Sequence, residues 1–177
     1  MSVRVNNFPL ARWMRDARGW SVLSHQKEVW AAAAQGQSGL LLAPTGHGKS
    51  LAALGTVLQE EQSKNCDARG SGPRLMWITP LRALARDLAA ELAEPVQALR
   101  PDWRVECRTG DTSASQKARQ RKALPEVLIT TPESASLLLS YADTLPALRR
   151  LRAVVVDEWH EPVSYTHLRA HETSLHL

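Results

Sequence analysis

Two short stretches carry residues suited to chemistry. The first is Ala43-Pro44-Thr45-Gly46-His47-Gly48-Lys49-Ser50. Its two glycines let the backbone curl so that successive N–H groups point inward at a phosphate, and a helix opening at Lys49 adds its positive end. Lys49 can reach terminal phosphates, and the Ser50 hydroxyl can ligate Mg2+. This is the phosphate-loop pattern with Ala in place of its first Gly. Thr45, Gly46, His47, Gly48, Lys49 and Ser50 are the candidate nucleotide-binding residues, His47 through its place in the loop, with no chemistry assigned to its ring. The second stretch, Asp157-Glu158-Trp159-His160, closes the apolar run Ala153–Val156. A phosphate-loop enzyme needs an acid at a neighbouring strand end to hold Mg2+ and a second group to orient the attacking water. Asp157 fits the first role and Glu158 the second, so ATP and Mg2+ are the expected cofactors. Either stretch alone has a plain structural reading, a Gly-rich turn or a solvated acidic strand end; each supports the other.

These residues need a frame of strands ending near one another. Five short apolar runs supply candidates: 39–43, 75–79, 103–107, 127–130 and 153–157. Helical patterns lie between them at 51–62, 83–99, 114–122 and 133–141, and 10–34 reads as one or two helices before the first run. The runs at 75–79, 127–130 and 153–157 are nearly continuous in hydrophobic residues, as for strands covered on both faces. Alternation of this kind predicts an α/β fold with a parallel sheet. The polar, Gly- and Pro-bearing stretch 63–73 reads as a surface loop.

Taken together, the motifs resemble the first RecA-like lobe of a superfamily 2 DExH-box helicase. Pro80-Leu81-Arg82-Ala83-Leu84 is similar to motif Ia of that family, Thr109-Gly110-Asp111 to its TG-type motif Ib, and Thr131-Pro132-Glu133-Ser134 to the TPE motif that follows. Gln26 matches the glutamine of the Q motif. The resemblance runs from Phe8 to Glu161, and APTGHGKSLAALG with DEWHE resembles the bacterial ligase-associated, Lhr-like branch. It implies that Gln26 bonds an adenine edge, with Trp20 or Phe8 near the base unless they are core. It also implies that Pro80, Leu81, Arg82, Thr109, Gly110, Thr131 and Pro132 line a nucleic-acid track. Gly110 would admit a strand closely, and Thr131 would cap a helix opened by Pro132. His160 would couple the ATP site to that track. The basic run Lys117, Arg119, Arg121, Lys122 reads as a solvated helix face before it reads as a contact with nucleic acid.

The branch implies an ATP-dependent DNA helicase or translocase in DNA repair, with a DNA ligase system as partner. An RNA helicase of the same superfamily and a non-catalytic nucleotide-dependent binding module stay open as alternatives. A net charge of +4 and a pI near 9.4 allow a polyanionic partner without requiring one. Cys66 and Cys107 form no metal or redox spacing, the N-terminus has no apolar leader, and no run reaches membrane-spanning length. These features together read as a cytoplasmic protein with no membrane partner.

After Glu161 the pattern changes. Residues 163–173, VSYTHLRAHET, resemble a one-frame translation of the transposon-end adapter used in shotgun sequencing libraries. The expected organisation is therefore a helicase lobe over 1–161, truncated after the motif II strand, and a non-native tail over 162–177. Such truncation would leave two apolar strand edges unpaired. His167 and His171 have the i, i+4 spacing of a zinc pair, but no metal is assigned to a stretch of this origin.

Overall fold

The structure is a computed structural model that describes residues 8–60 and 72–157. Two helices come first, α1 (Pro9–Arg18) and α2 (Ser24–Ala33), followed by α3 (Lys49–Glu60). Then come β1 (Leu75–Ile78), α4 (Arg82–Leu99), β2 (Val105–Arg108), α5 (Ala114–Lys122), β3 (Val127–Thr130), α6 (Pro132–Leu139), the short α7 (Leu145–Leu148) and β4 (Ala153–Val156). All strand pairs are parallel and the order is β2-β3-β1-β4. The parallel α/β fold read from the sequence is the fold observed.

Helix ends follow local chemistry. Pro9 opens α1, where a missing N–H costs nothing, and Gly19 closes it with its N–H on the Arg15 carbonyl. Ser113 caps α5 by accepting a hydrogen bond from the Gln116 N–H at 3.2 Å. Pro132 opens α6 as expected, but the Thr131 hydroxyl donates to Ser134 Oγ at 3.3 Å and makes no backbone cap.

Burial on both faces explains the continuous hydrophobicity of the central strands. Leu75, Trp77, Val127 and Ile129 face a core with Leu10, Met14, Trp30, Leu54, Val57, Leu88 and Leu92, supplied by α1 to α4. Met76 and Leu128 face the other side, against Leu124 and Leu138. Successive side chains along each strand alternate between the two cores.

One expected strand does not form. Residues 39–43 pair with no described strand, and Leu40 and Leu42 are 65% and 80% exposed. Their apolar composition favours a strand, but strand structure needs pairing with a neighbour's hydrogen-bonding edge, and 39–43 lies against none of the described strands' edges. β4, at the sheet edge, pairs only with β1 among the described residues, and Val154 and Val156 are 55% and 58% exposed. The expected strand at 103–107 begins later, because Trp103 turns back with its N–H on the Arg100 carbonyl.

Candidate nucleotide site and nucleic-acid face

Parallel strands bring their C-terminal ends to one edge, which is where open α/β sheets bind ligands. Thr79, Pro80 and Arg82 follow β1, Thr109 to Asp111 follow β2, and Thr131 and Pro132 follow β3. Asp157 follows β4, held by its N–H on the Ile78 carbonyl at 2.9 Å. Four of the expected motifs therefore reach one edge. Glu158 and His160 lie outside the described residues.

The loop before α3 has the curl that its glycines predict. Gly46 and Gly48 have φ of +80° and +67°, a region costly to residues with a Cβ. A Cβ on Gly48 would also sit 2.6 Å from Gln26 Nε2. The Lys49 ammonium bonds the Ala43 carbonyl at 2.8 Å, so the loop folds around its own lysine. Lys49 opens α3, placing the ammonium and the helix's positive end together, a setting suited to a polyphosphate. Thr45, Gly46 and His47 are exposed, and the His47 ring donates to the Thr45 carbonyl at 3.2 Å. The expected metal ligands Ser50 and Asp157 are oxygen donors, a set suited to Mg2+. The Ser50 hydroxyl also meets the Glu91 carboxylate at 3.4 Å, a neighbour the sequence did not suggest.

Gln26 is buried, 1% exposed, and both ends of its carboxamide are engaged. Its oxygen accepts the Leu23 N–H at 3.0 Å, and its nitrogen donates to the Gly48 carbonyl at 3.0 Å. The His25 ring, one residue earlier, donates to the His47 carbonyl at 2.9 Å. The start of α2 is thus fastened to the phosphate loop at two successive carbonyls. In this arrangement Gln26 holds the loop's backbone, and each end of its carboxamide keeps one further hydrogen-bonding position. Trp30, fully buried, fixes α2 onto α3 through Nε1 and the Ala52 carbonyl at 2.9 Å. Phe8 packs edge-on against Trp30 with centroids 5.9 Å apart, so it is core and not a base platform. Trp20 is half exposed and lies under the Arg18 guanidinium.

On the proposed nucleic-acid side, Leu81, Arg82 and Gly110 are exposed, Pro80 and Pro132 are intermediate, and Thr109 and Thr131 are buried. The space beside Gly110 is already filled: a Cβ there would lie 2.7 Å from Arg82 Nη2 and 2.8 Å from Cζ. Gly110 makes room for the chain's own arginine, a different use from the strand approach expected. Arg82 and Arg86 each donate to one oxygen of Asp111, at 2.7 and 2.8 Å. The basic run of α5 is largely partnered. Lys117 donates to the Gly110 carbonyl, Arg119 to Glu106, and Arg121 to Asp143 while lying over the Tyr141 ring. Arg108 is buried and donates to the Lys117 carbonyl and Gln120 Oε1, tying β2 to α5. Burial lowers its basicity, yet guanidinium stays charged in proteins.

Sequence reasoning did not find the roles of Asp111, Arg86, His25 or Glu91. Arg82 and Arg86 are spaced i, i+4, which places them on one helix face. Their meeting with Asp111 spans a crossover and has no local signal.

A parallel sheet with a phosphate-loop helix packed on it and an acid at the C-terminal end of an edge strand is the architecture of a RecA-like, phosphate-loop nucleotide-binding lobe. Residues 23–175 match the family model for DEAD/DEAH box helicases, and the chain belongs to that family. Its likeness is to the N-terminal lobe of Lhr helicases. It is 33% identical over 151 residues to the Lhr helicase/uracil glycosylase of Escherichia coli, covering 76% of this chain and 10% of that protein. It is 34% identical over 167 residues to the ATP-dependent helicase Lhr-Core of Sulfolobus acidocaldarius, covering 86% and 18%. The structure of Mycobacterium smegmatis helicase Lhr bound to ssDNA and AMP-PNP superposes with a TM-score of 0.70 at 31% identity, over 86% of this chain and 20% of that one. The chain thus spans under a fifth of these two curated relatives. No described helix is long and apolar enough to cross a membrane.

Proposed function

We propose that the chain is the ATP-binding lobe of an Lhr-like DNA helicase or translocase, and that ATP hydrolysis there drives movement along DNA in repair. The observation that carries this is a phosphate-loop helix packed on a parallel sheet whose loops after β1, β2, β3 and β4 all leave from one edge. Lys49 and the loop backbone from Thr45 to Ser50 hold the phosphates. Ser50 and Asp157 hold Mg2+, Glu158 orients the attacking water, and His160 passes the state of the site to the nucleic-acid face. Pro80, Leu81, Arg82, Thr109, Gly110, Thr131 and Pro132 form that face. DNA is favoured over RNA because one relative's structure holds ssDNA and another relative is named a uracil glycosylase. The motif stretches that resemble the ligase-associated branch make a DNA ligase system the proposed partner.

The native lobe ends near Glu161 in this reading, and 162–177 derive from adapter sequence. Among the described residues 39–43 has no strand partner and β4 has one, which supports a further strand between them. The family match running to residue 175 counts against the boundary. Amplifying across codon 161 from source DNA without transposon adapters decides it. A frame departing from VSYTHLRAHET is expected; the same frame in genomic DNA overturns the boundary. Paired unwinding assays on the longer gene product test the substrate: DNA duplexes should be unwound, and unwinding confined to RNA would replace the reading with an RNA helicase.

A further inference from the structure

Arg82 and Arg86 lie one turn apart on α4, and their like charges repel at that spacing. Asp111 resolves this by giving one carboxylate oxygen to each guanidinium, at 2.7 and 2.8 Å. The loop that carries Asp111 is itself closed: the Thr109 N–H donates to Thr112 Oγ1 at 2.9 Å, and the Thr112 N–H returns to the Thr109 carbonyl at 3.2 Å. Lys117 adds a bond to the Gly110 carbonyl at 2.9 Å. The Arg82 guanidinium lies over Gly110, in space that any Cβ would occupy. Two guanidiniums share one carboxylate and the Lys117 ammonium sits beside it on a backbone carbonyl, so these four side chains together carry two excess positive charges. Both arginine side chains stay well exposed, 59% and 62%. Each fork spends one nitrogen on Asp111, and its other N–H groups remain to meet an incoming anion.

We propose that Arg82 and Arg86 form a two-pronged seat for one backbone phosphodiester of the bound strand, and that Asp111 and Gly110 are positioning residues that hold both forks in place before the strand arrives. This rests on the reading of the C-terminal edge as a nucleic-acid face and adds Arg86, Asp111 and the use of Gly110 to it. Planar forks suit bidentate phosphate contact, and fixing them beforehand reduces the ordering cost of binding.

The test is the affinity of the longer gene product for dye-labelled oligo-dT across a salt series, with thermal unfolding as the folding control. Arg82→Ala and Arg86→Ala should each weaken binding roughly threefold to tenfold, and loss of both should lower the salt slope by about 0.7, the value for one single-strand phosphate. Arg86→Lys should keep the slope but only part of the affinity. Asp111→Asn separates positioning from charge. It adds net positive charge, so charge alone predicts tighter binding, whereas loss of positioning predicts weaker binding. Gly110→Ala pushes the Arg82 guanidinium aside without touching the core and should weaken binding likewise. Arginine variants that weaken binding, together with an Asp111→Asn or Gly110→Ala protein that binds as well or better, would overturn the positioning role. An effect of Arg82→Ala without one of Arg86→Ala would overturn the two-pronged seat. If neither arginine matters, the nucleic-acid reading of this face fails instead.

Discussion

Replacing Gly55 with Ala sets helix propensity against packing. Gly55 lies inside α3, where alanine is favoured by about 1 kcal/mol. Its φ is not in the left-handed region, so the backbone permits the change. The new methyl, however, would sit 2.1 Å from Trp30 Nε1 and 2.4 Å from Cε2. That indole is fully buried and has no open side to move toward. Overpacking of a filled core costs about 1–3 kcal/mol. Moving the ring also breaks its 2.9 Å bond to the Ala52 carbonyl and strands two buried polar groups, at about 1–3 kcal/mol. Central values leave the variant roughly 3 kcal/mol less stable. Because Trp30 fixes α2 on α3, the bond from Gln26 to Gly48 should loosen with it, and nucleotide affinity should fall. Denaturant unfolding measures the first effect and fluorescent-nucleotide titration the second. Trp30→Phe removes the colliding N–H edge, so the Gly55→Ala, Trp30→Phe double variant should lose less than the sum of the singles. A Gly55→Ala protein about 1 kcal/mol more stable than the parent would refute the packing reasoning and leave only propensity.

Two buried tryptophans should respond differently to loss of their N–H. Trp30 Nε1 is bonded, but Trp77 Nε1 has no partner among the described residues, so Trp77→Phe should cost clearly less stability than Trp30→Phe in parallel denaturant melts. Burial raises the Cys107 thiol above its ordinary value of 9.0, with Arg86 pulling weakly the other way. The folded state therefore holds its proton to higher pH than the unfolded chain does. Cys107 alkylation should lag behind glutathione from neutral pH to about 9, and stability should decline as pH rises past the unfolded thiol's value; equal alkylation rates would contradict the burial. Gln26→Ala leaves a Leu23 N–H and a Gly48 carbonyl without their partner and should weaken nucleotide binding about tenfold through the loop, equivalent to one such bond. Unchanged affinity in the same titration would detach α2 from the site.

The parallel fold was legible because strand hydrophobicity, helix periodicity and turn residues agree over 75–157. Val127–Thr130 and Ala114–Lys122 form with the bounds their composition suggests. Residues 39–43 were misread because composition reports a tendency to pair and cannot supply the partner edge. The phosphate loop was legible because its chemistry is local: two glycines, a lysine and a serine in one turn. The contacts of Asp111 with Arg82 and Arg86, of Gln26 with Gly48, and of Glu91 with Ser50 join positions 22 to 41 residues apart. No spacing within a single element signals them.

The most direct test of the whole account is DNA-stimulated ATP turnover by the longer gene product, alongside nucleotide binding, for the parent, Lys49→Ala and Glu158→Gln. The account predicts that Lys49→Ala loses both binding and turnover, and that Glu158→Gln still binds ATP but no longer turns it over. Turnover that survives either substitution unchanged would contradict it.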